Sequence, residues 1–272
     1  MSYKIGDISK KLNMPVETIR YYERKNIVNP GHMENGKYRL YETWDIFRLM
    51  QCMIYKSYKM SLKEVTYHMN EGSLQDFLDV LSSKEQEFLS SIEWNTLMIE
   101  EIRERKEKLS MLQFNIGNFW ILKIPERYCL YYCSSNGDSY NDLNPDIKLF
   151  EEWIRYFPFV KTCFSLSRSN LSKNSNIIKW GLEIEINMAK QLKLSTDDTI
   201  ETLPELMCIS TIIDTGERGK LTFELLKPAI AYAVNNGFEI DDEIWGRLLI
   251  RTHEKGKFSR YFEILIPFKE KQ

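Results

Sequence analysis

"ETIRYYERKNIVNPGHMENGKYRLY", residues 17–41, places Arg20, Tyr21 and Tyr22 side by side and, past a run of turn-forming residues, sets Tyr38, Arg39 and Tyr41 in a second cluster. Just upstream, Ile5, Ile8 and Leu12 recur at helical spacing. Asn13, Met14 and Pro15 break the pattern, and Val16, Ile19 and Tyr22 or Glu23 resume it. Two short helices joined by a tight turn predict a helix-turn-helix, a motif whose second helix lies in the DNA major groove, where Arg reads guanine and Tyr bonds phosphate. Arg20 and Tyr21 fall on the polar side of that helix. Pro30, Gly31, Asn35 and Gly36 then form turns, and Asn-Gly is the strongest short hairpin signal, so a wing is expected. Tyr38 and Arg39, just past the turn, would reach the backbone flanking the groove, making the two clusters two contacts of one footprint. The alternative for Tyr22, Tyr38 and Tyr41 is the core of a small domain.

"YETWDIFRLMQCMIYKSYKMSLKEVTYHM", residues 41–69, reads as two further helices, with Ser61 as an N-cap and Glu64 closing a capping box. Lys56 and Lys59 precede that cap and would sit over phosphate or simply occupy a solvated turn. Over the whole N-terminal part, residues 1–75 hold twelve Lys and Arg against eight acids, whereas the whole chain holds 37 against 39, so a basic end suited to phosphate is followed by an acidic remainder.

Taken in order, "IGDISKKLNMPVETIRYYERKNIV", the "GKYRLY" wing and "DIFRLMQCMIYKSYKMSLKEV" resemble the MerR family of bacterial transcription regulators over about residues 2–72. The resemblance implies a winged helix-turn-helix in a homodimer that sits on a palindromic promoter element and changes the twist of the DNA. It implies that Arg20, Tyr21, Tyr38 and Arg39 contact double-stranded promoter DNA, with Lys59 a further candidate, and that RNA polymerase is met at the promoter.

"SSKEQEFLSSIEWNTLMIEEIRERKEKLSML", residues 82–112, has no Pro or Gly and spaces Leu81, Phe88, Ile92, Ile99, Ile102 and Leu109 at roughly 3.5 residues. One seam of an antiparallel dimerisation coiled coil fits, with Asn95 and Lys106 as polar residues that set register. The alternative is a helix packed on its own domain.

Beyond Gly117 the chain reads as strands, and it repeats. "IPERYCLYY" at 124–132 and "LPELMCIST" at 203–211 share Pro-Glu-x-x-Cys at an offset of 79 residues. Each leads through a turn-rich segment to a helix, 146–156 and 221–235, and then to two strands. A duplicated strand-helix-strand-strand unit is expected, its two modules forming a shared concave surface. The fold class is therefore α+β, with a winged helix-turn-helix domain over 1–76, a dimerisation helix over 77–116 and an effector-binding domain over 117–272.

This last part is similar to the GyrI-like effector domain of multidrug-responsive MerR regulators, over residues 119–272. The multidrug branch carries an aromatic followed by a buried Glu, the counter-charge for lipophilic cations; here Trp245 keeps the aromatic and Gly246 replaces the acid, while Tyr261 matches the aromatic opening the final strand. Strand alternation puts Tyr261, Glu263 and Leu265 on one face, and Gly181, Glu183 and Glu185 on one face of theirs. Glu183 and Glu263 are each either the anion of a pocket or an ordinary solvent-facing strand residue. Trp120, Tyr156, Trp180 and Trp245 would supply flat walls for an aromatic or cationic ligand.

No P-loop, nucleotide-binding Gly-rich motif, His-Glu-x-x-His or GxSxG is present, and His32, His68 and His253 form no catalytic constellation. Five scattered cysteines argue against a disulfide framework and for reduced thiols, and no metal or cofactor is expected. No run approaches the length of a membrane span and the N-terminus has no apolar signal region, so a cytoplasmic protein is expected. The sequence thus predicts a homodimeric, non-enzymatic DNA-binding regulator, an activator by resemblance with repression as the alternative, responding to a small aromatic or lipophilic compound, cationic ones included. The competing reading is a hydrolase or sequestering protein that uses the same pocket.

Overall fold

The structure, a computed structural model, describes residues 2–32, 39–136, 139–143, 148–168, 177–216, 221–241, 243–254 and 256–269. The chain divides into two compact units, Met1–Met98 and Ile99–Gln272.

In the first unit, β1 (Ser2–Tyr3) leads to α1 (Ile5–Leu12) and α2 (Val16–Arg24). Asn13 ends α1 in the left-handed region at φ 48°, a conformation Asn tolerates, and Pro15 precedes α2 with its fixed φ, so the break read at 13–15 is the turn between the two helices. A short hairpin follows, β2 (Gly31–His32) with β3 (Arg39–Glu42), and β1 pairs on the other side of β3. The expected Asn35-Gly36 turn and Tyr38 lie outside the described residues. Next come α3 (Thr43–Ser57), α4 (Leu62–Asn70) and α5 (Leu74–Ser110). The capping box at the start of α4 is present: the Glu64 amide donates to Ser61 Oγ at 3.2 Å and the Ser61 amide to a Glu64 carboxylate oxygen at 2.5 Å. Ile8, Ile19, Ile27, Tyr41, Leu49, Cys52, Met60 and Val65 make the core, so Tyr41 is a core residue.

The second unit begins within α5, followed by α6 (Leu112–Asn115), β4 (Trp120–Ile124), β5 (Arg127–Asn136) and β6 (Ser139–Tyr140). Then come α7 (Lys148–Trp153), β7 (Lys161–Ser167), β8 (Ile177–Glu185), α8 (Ile186–Gln191), β9 (Glu201–Leu203) and β10 (Leu206–Asp214). The unit closes with α9 (Lys227–Asn235), β11 (Glu239–Ile240), β12 (Glu243–Glu254) and β13 (Lys257–Lys269). Its described strands pair antiparallel in the order β4-β10-β13-β12-β7-β8-β5-β6, and an isolated parallel bridge joins Ile116 to Ile212 of β10.

The duplication is visible in that order. One copy contributes β5-β8-β7, the other β10-β13-β12, and they meet where β7 pairs with β12. On one face Phe164, Ile178, Ile209, Ile244, Phe262 and Ile264 pack with Leu226, Ala229 and Ala233 of the segment leading into and through α9. On the other face Cys129, Cys163, Cys208, Trp245 and Leu265 form a second cluster. Strand alternation at period two separates the two sets, so neighbours in sequence such as Trp245 and Gly246 face opposite ways.

Candidate functional site

In the first unit the exposed side of α2 carries Arg20 and Tyr21, the latter 42% exposed. Arg20 donates to Glu17 at 2.8 Å one turn back, and both side chains are solvated, so the pair leaves the guanidinium within reach of an outside partner. The structure adds two cations to this face: the Arg24 guanidinium and the Lys25 ammonium lie 5.7 and 5.8 Å from the centre of the Tyr21 ring. Ile19, one residue before Arg20, is fully buried and fixes which side of α2 turns outward. Tyr22 points inward instead, and burial first, then Cys52, pushes its hydroxyl up to about 12.

Arg39 opens β3 and is half-exposed, its guanidinium 2.9 Å from Glu23 Oε2. The buried Tyr41 hydroxyl donates to the other oxygen of Glu23, and its pKa is raised, by burial first and by that bond second. Lys59 is exposed with φ 59°, and its ammonium rests 4.9 Å above the Phe88 ring.

In the second unit the residues expected to line one pocket are divided between the two faces of the sheet. Glu183, Trp245 and Glu263 share the face of the cysteine cluster, whereas Trp180 packs on the α9 side against Phe164 and Phe262. Trp120 lies in β4 opposite Ser210, and Tyr156 ends the short 3-10 turn after α7. Tyr261 sits opposite Asp214 on β10.

Glu183 and Glu263 are buried, 3% and 2% exposed, so neither is a solvent-facing strand residue. Nor does either stand as an unpaired anion, because the chain supplies cations to both. Arg127 Nε donates to Glu183 Oε2 at 3.0 Å, Arg247 Nε donates to its other oxygen, and Lys108 Nζ donates to Glu263 Oε2 at 2.7 Å. Such pairing is what a carboxylate in low dielectric requires. Burial alone would lower the Arg247 pKa, but the carboxylates of Glu183 and Glu263 outweigh it and hold the guanidinium charged. These cations were missed because Arg127, Arg247 and Lys108 lie 56, 64 and 155 residues from their partners.

Two neighbouring cavities open on this face. One of about 330 Å³ is lined by Lys108, Arg247, Leu249 and Glu263, the other of about 110 Å³ by Arg127, Phe159 and Glu183; Glu101, Glu104, Lys161 and Arg247 border both. The flat aromatic walls are elsewhere. A cavity of about 520 Å³ on the α9 side is lined by Tyr132, Tyr140, Trp180 and Phe262 together with Arg251 and Arg260. Gly246 faces this side, and a Cβ there would run into the Phe164 ring, so an acid at 246 has no room. Among the described residues no group of three His, Cys, Asp or Glu is placed to hold a metal ion. No described helix is long and apolar enough to cross a membrane.

Residues 3–71, which hold the α1–α2 motif, the β2–β3 hairpin and α4, match the profile of the MerR HTH family regulatory proteins. This segment is a MerR-family helix-turn-helix domain. The chain is 27% identical over 134 residues to the mercuric resistance operon regulatory protein of Bacillus cereus, covering 49% of this chain and 93% of that one. It is 26% identical over 109 residues to the HTH-type transcriptional activator mta of Bacillus subtilis, covering 37% of this chain and 42% of mta. Among solved structures, EcmrR in its DNA complex aligns over 99% of this chain and 100% of its own, with 17% identity and a TM-score of 0.36.

In this MerR-family domain the two cations the sequence reading passed over, Arg24 and Lys25, have a legible signal. Each lies within four residues of Tyr21, at the C-terminal end of α2, where basic side chains also meet the helix dipole favourably.

Proposed function

We propose that the protein is a homodimeric DNA-binding transcription regulator whose C-terminal unit senses a small molecule. The observation that carries the reading is the solvated row of Arg20, Tyr21 and Arg24 on α2 with Lys25 capping its end, turned outward by the burial of Ile19 within a MerR-family domain. Arg20 reads base edges in the major groove, and Tyr21, Arg24 and Lys25 take phosphates; Arg39 and Lys59 reach the flanking backbone. Arg20 must then exchange Glu17 for DNA, and Lys59 must leave the Phe88 ring.

Dimerisation is supported by α5. Phe88, Ile92, Ile99 and Ile102 recur at heptad spacing along it and are all exposed, from 36% to 62%, an apolar stripe that a second copy in a coiled coil would bury.

The GyrI-like reading of the second unit rests on its duplicated modules and on the cavities on both faces of its sheet, one of about 520 Å³ among aromatic side chains and two of about 330 and 110 Å³ beside Glu263 and Glu183, room enough for a small effector. The pairing of Glu183 with Arg127 and Arg247, and of Glu263 with Lys108, favours a neutral or anionic effector over a lipophilic cation. An effector acts only through a difference in affinity for two dimer arrangements, and a bound dimer that untwists or relaxes promoter DNA would convert that difference into activation, with repression as the other outcome.

Selection of DNA fragments from a random pool by the full chain, followed by fluorescence anisotropy, tests the proposal. A palindromic consensus bound by wild type and lost in Arg20→Ala supports it; undiminished binding by Arg20→Ala, or no enrichment at all, refutes the placement of α2 on DNA.

A further inference from the structure

Arg127 is fully buried at the start of β5, yet among the described residues only its Nε has a hydrogen-bond partner. Nε donates to Glu183 at 3.0 Å and the guanidinium carbon lies 5.0 Å from the centre of the Trp245 ring, while both terminal nitrogens are buried without a hydrogen-bond partner among the described residues. A guanidinium offers its donors as a planar fork that matches a carboxylate or phosphate with two parallel bonds. Leaving that fork empty in low dielectric is unfavourable, so it marks a place where an acceptor belongs.

The 110 Å³ cavity that Arg127 borders has room for such a group, since a water occupies about 30 Å³ of liquid. Lys161 and Arg247 border it too. Four acids line the same space, and each is accounted for: Glu183 is shared between two arginines, Glu101 is held by Lys161 at 3.6 Å, and Glu104 and Glu185 are exposed to solvent. The adjoining 330 Å³ cavity, reached past Lys161 and Arg247, would hold the rest of a molecule.

We propose that this pocket takes the oxyanion head, carboxylate or phosphate, of a small-molecule effector, seated on the unused fork of Arg127 and on Lys161. The proposal rests on the reading of this unit as a sensor and names the ligand's charge. It also supplies a route to α5. Glu101 and Glu104 stand on that helix, so an arriving anion competes with Glu101 for Lys161 and repels both carboxylates. An oxyanion therefore loosens the end of α5 from the sheet.

The test uses the full chain with benzoate, inorganic phosphate and tetraphenylphosphonium as probes, at ionic strength matched with sodium chloride, reading melting temperature and DNA affinity in parallel. A saturable rise in melting temperature with benzoate identifies a carboxylate site and one with phosphate a phosphate site. In either case Arg127→Lys, which keeps the charge beside Glu183 but removes the fork, abolishes the rise. Lys161→Met, at a partly exposed position away from the core, weakens it several-fold and carries the test if Arg127→Lys does not fold. No saturable rise with either anion, or the same rise in every folded variant, overturns the proposal. Anion binding that leaves DNA affinity unchanged keeps the pocket but refutes the sensor reading and its lever. A DNA response to any probe that both variants retain keeps the sensor reading and removes the pocket.

Discussion

Glu23 of α2 and Arg39 of β3 are joined at 2.9 Å, and the second carboxylate oxygen of Glu23 receives the buried hydroxyl of Tyr41 from the same strand. One acid thus pins the wing strand to the second helix of the motif. Glu23→Ala is expected to destabilise the first unit by about 1–3 kcal/mol, because the Tyr41 hydroxyl is left buried without its acceptor. Urea denaturation measures this. DNA affinity should fall as well although Glu23 itself is acidic, since removing a negative charge near phosphate would otherwise raise it.

Arg24 and Lys25 flank Tyr21 and carry no base-reading role in the proposed interface. Replacing either with Ala should weaken binding to all sequences alike and reduce the slope of log affinity against log salt by about one. Arg20→Ala should instead relax preference at one base pair, by about 1–3 kcal/mol. Anisotropy titrations at several salt concentrations, against the selected site and single-base variants, separate the two behaviours.

The helix-turn-helix and its caps were legible because each signal is local: Asn13 and Pro15 at a turn, Ser61 and Glu64 three residues apart, Ile8 and Ile19 on inward faces. The duplication of the second unit was legible from the repeated Pro-Glu-x-x-Cys, and the structure sets Glu183 on β8 and Glu263 on β13, strands in matching places in the two copies. Alternation also separates Trp180 from Glu183 and Gly246 from Trp245, so these residues cannot share one pocket wall. What no local pattern carries is a partner brought in by the sheet or by α5, which is why Arg127, Arg247 and Lys108 escaped the reading of the two glutamates.

Gly246 offers a direct check of that geometry. Gly246→Glu should destabilise the protein by more than the about 1–3 kcal/mol of simple overpacking, because a carboxylate is forced against the Phe164 ring as well. Adding Phe164→Ala should recover part of the loss by opening space. If the single variant is as stable as wild type by thermal unfolding, position 246 does not face the α9 side.

The stripe on α5 predicts a charge-sensitive dimer. Ile92 and Ile99 are 62% and 49% exposed on the isolated chain, so a lysine at either costs little there, whereas in a coiled-coil seam it buries a charge. Sedimentation equilibrium should show Ile92→Lys and Ile99→Lys shifted to monomer with helicity largely kept. A dimer undisturbed by both would place the contact elsewhere.

Cys208 is fully buried in the cluster with Trp245 and Leu265, and burial pushes its thiol up to about 11 from an ordinary value near 9.0. Cys163, on the same face, is raised for the same first reason, with Cys129 next to it. Folding therefore favours the protonated thiols. Their contribution is fully present below about pH 9, where the thiol is protonated in both states. It declines as pH rises, because the unfolded chain ionises first, and for Cys208 the loss is complete above about pH 11. The slope contributed by one such thiol approaches about 1.4 kcal/mol per pH unit inside that window. Cys208→Ala removes the titrating group, so although it is less stable at neutral pH, its melting temperature should fall less steeply between pH 9 and 11 than that of wild type. Parallel curves would mean that this thiol does not titrate across the unfolding transition.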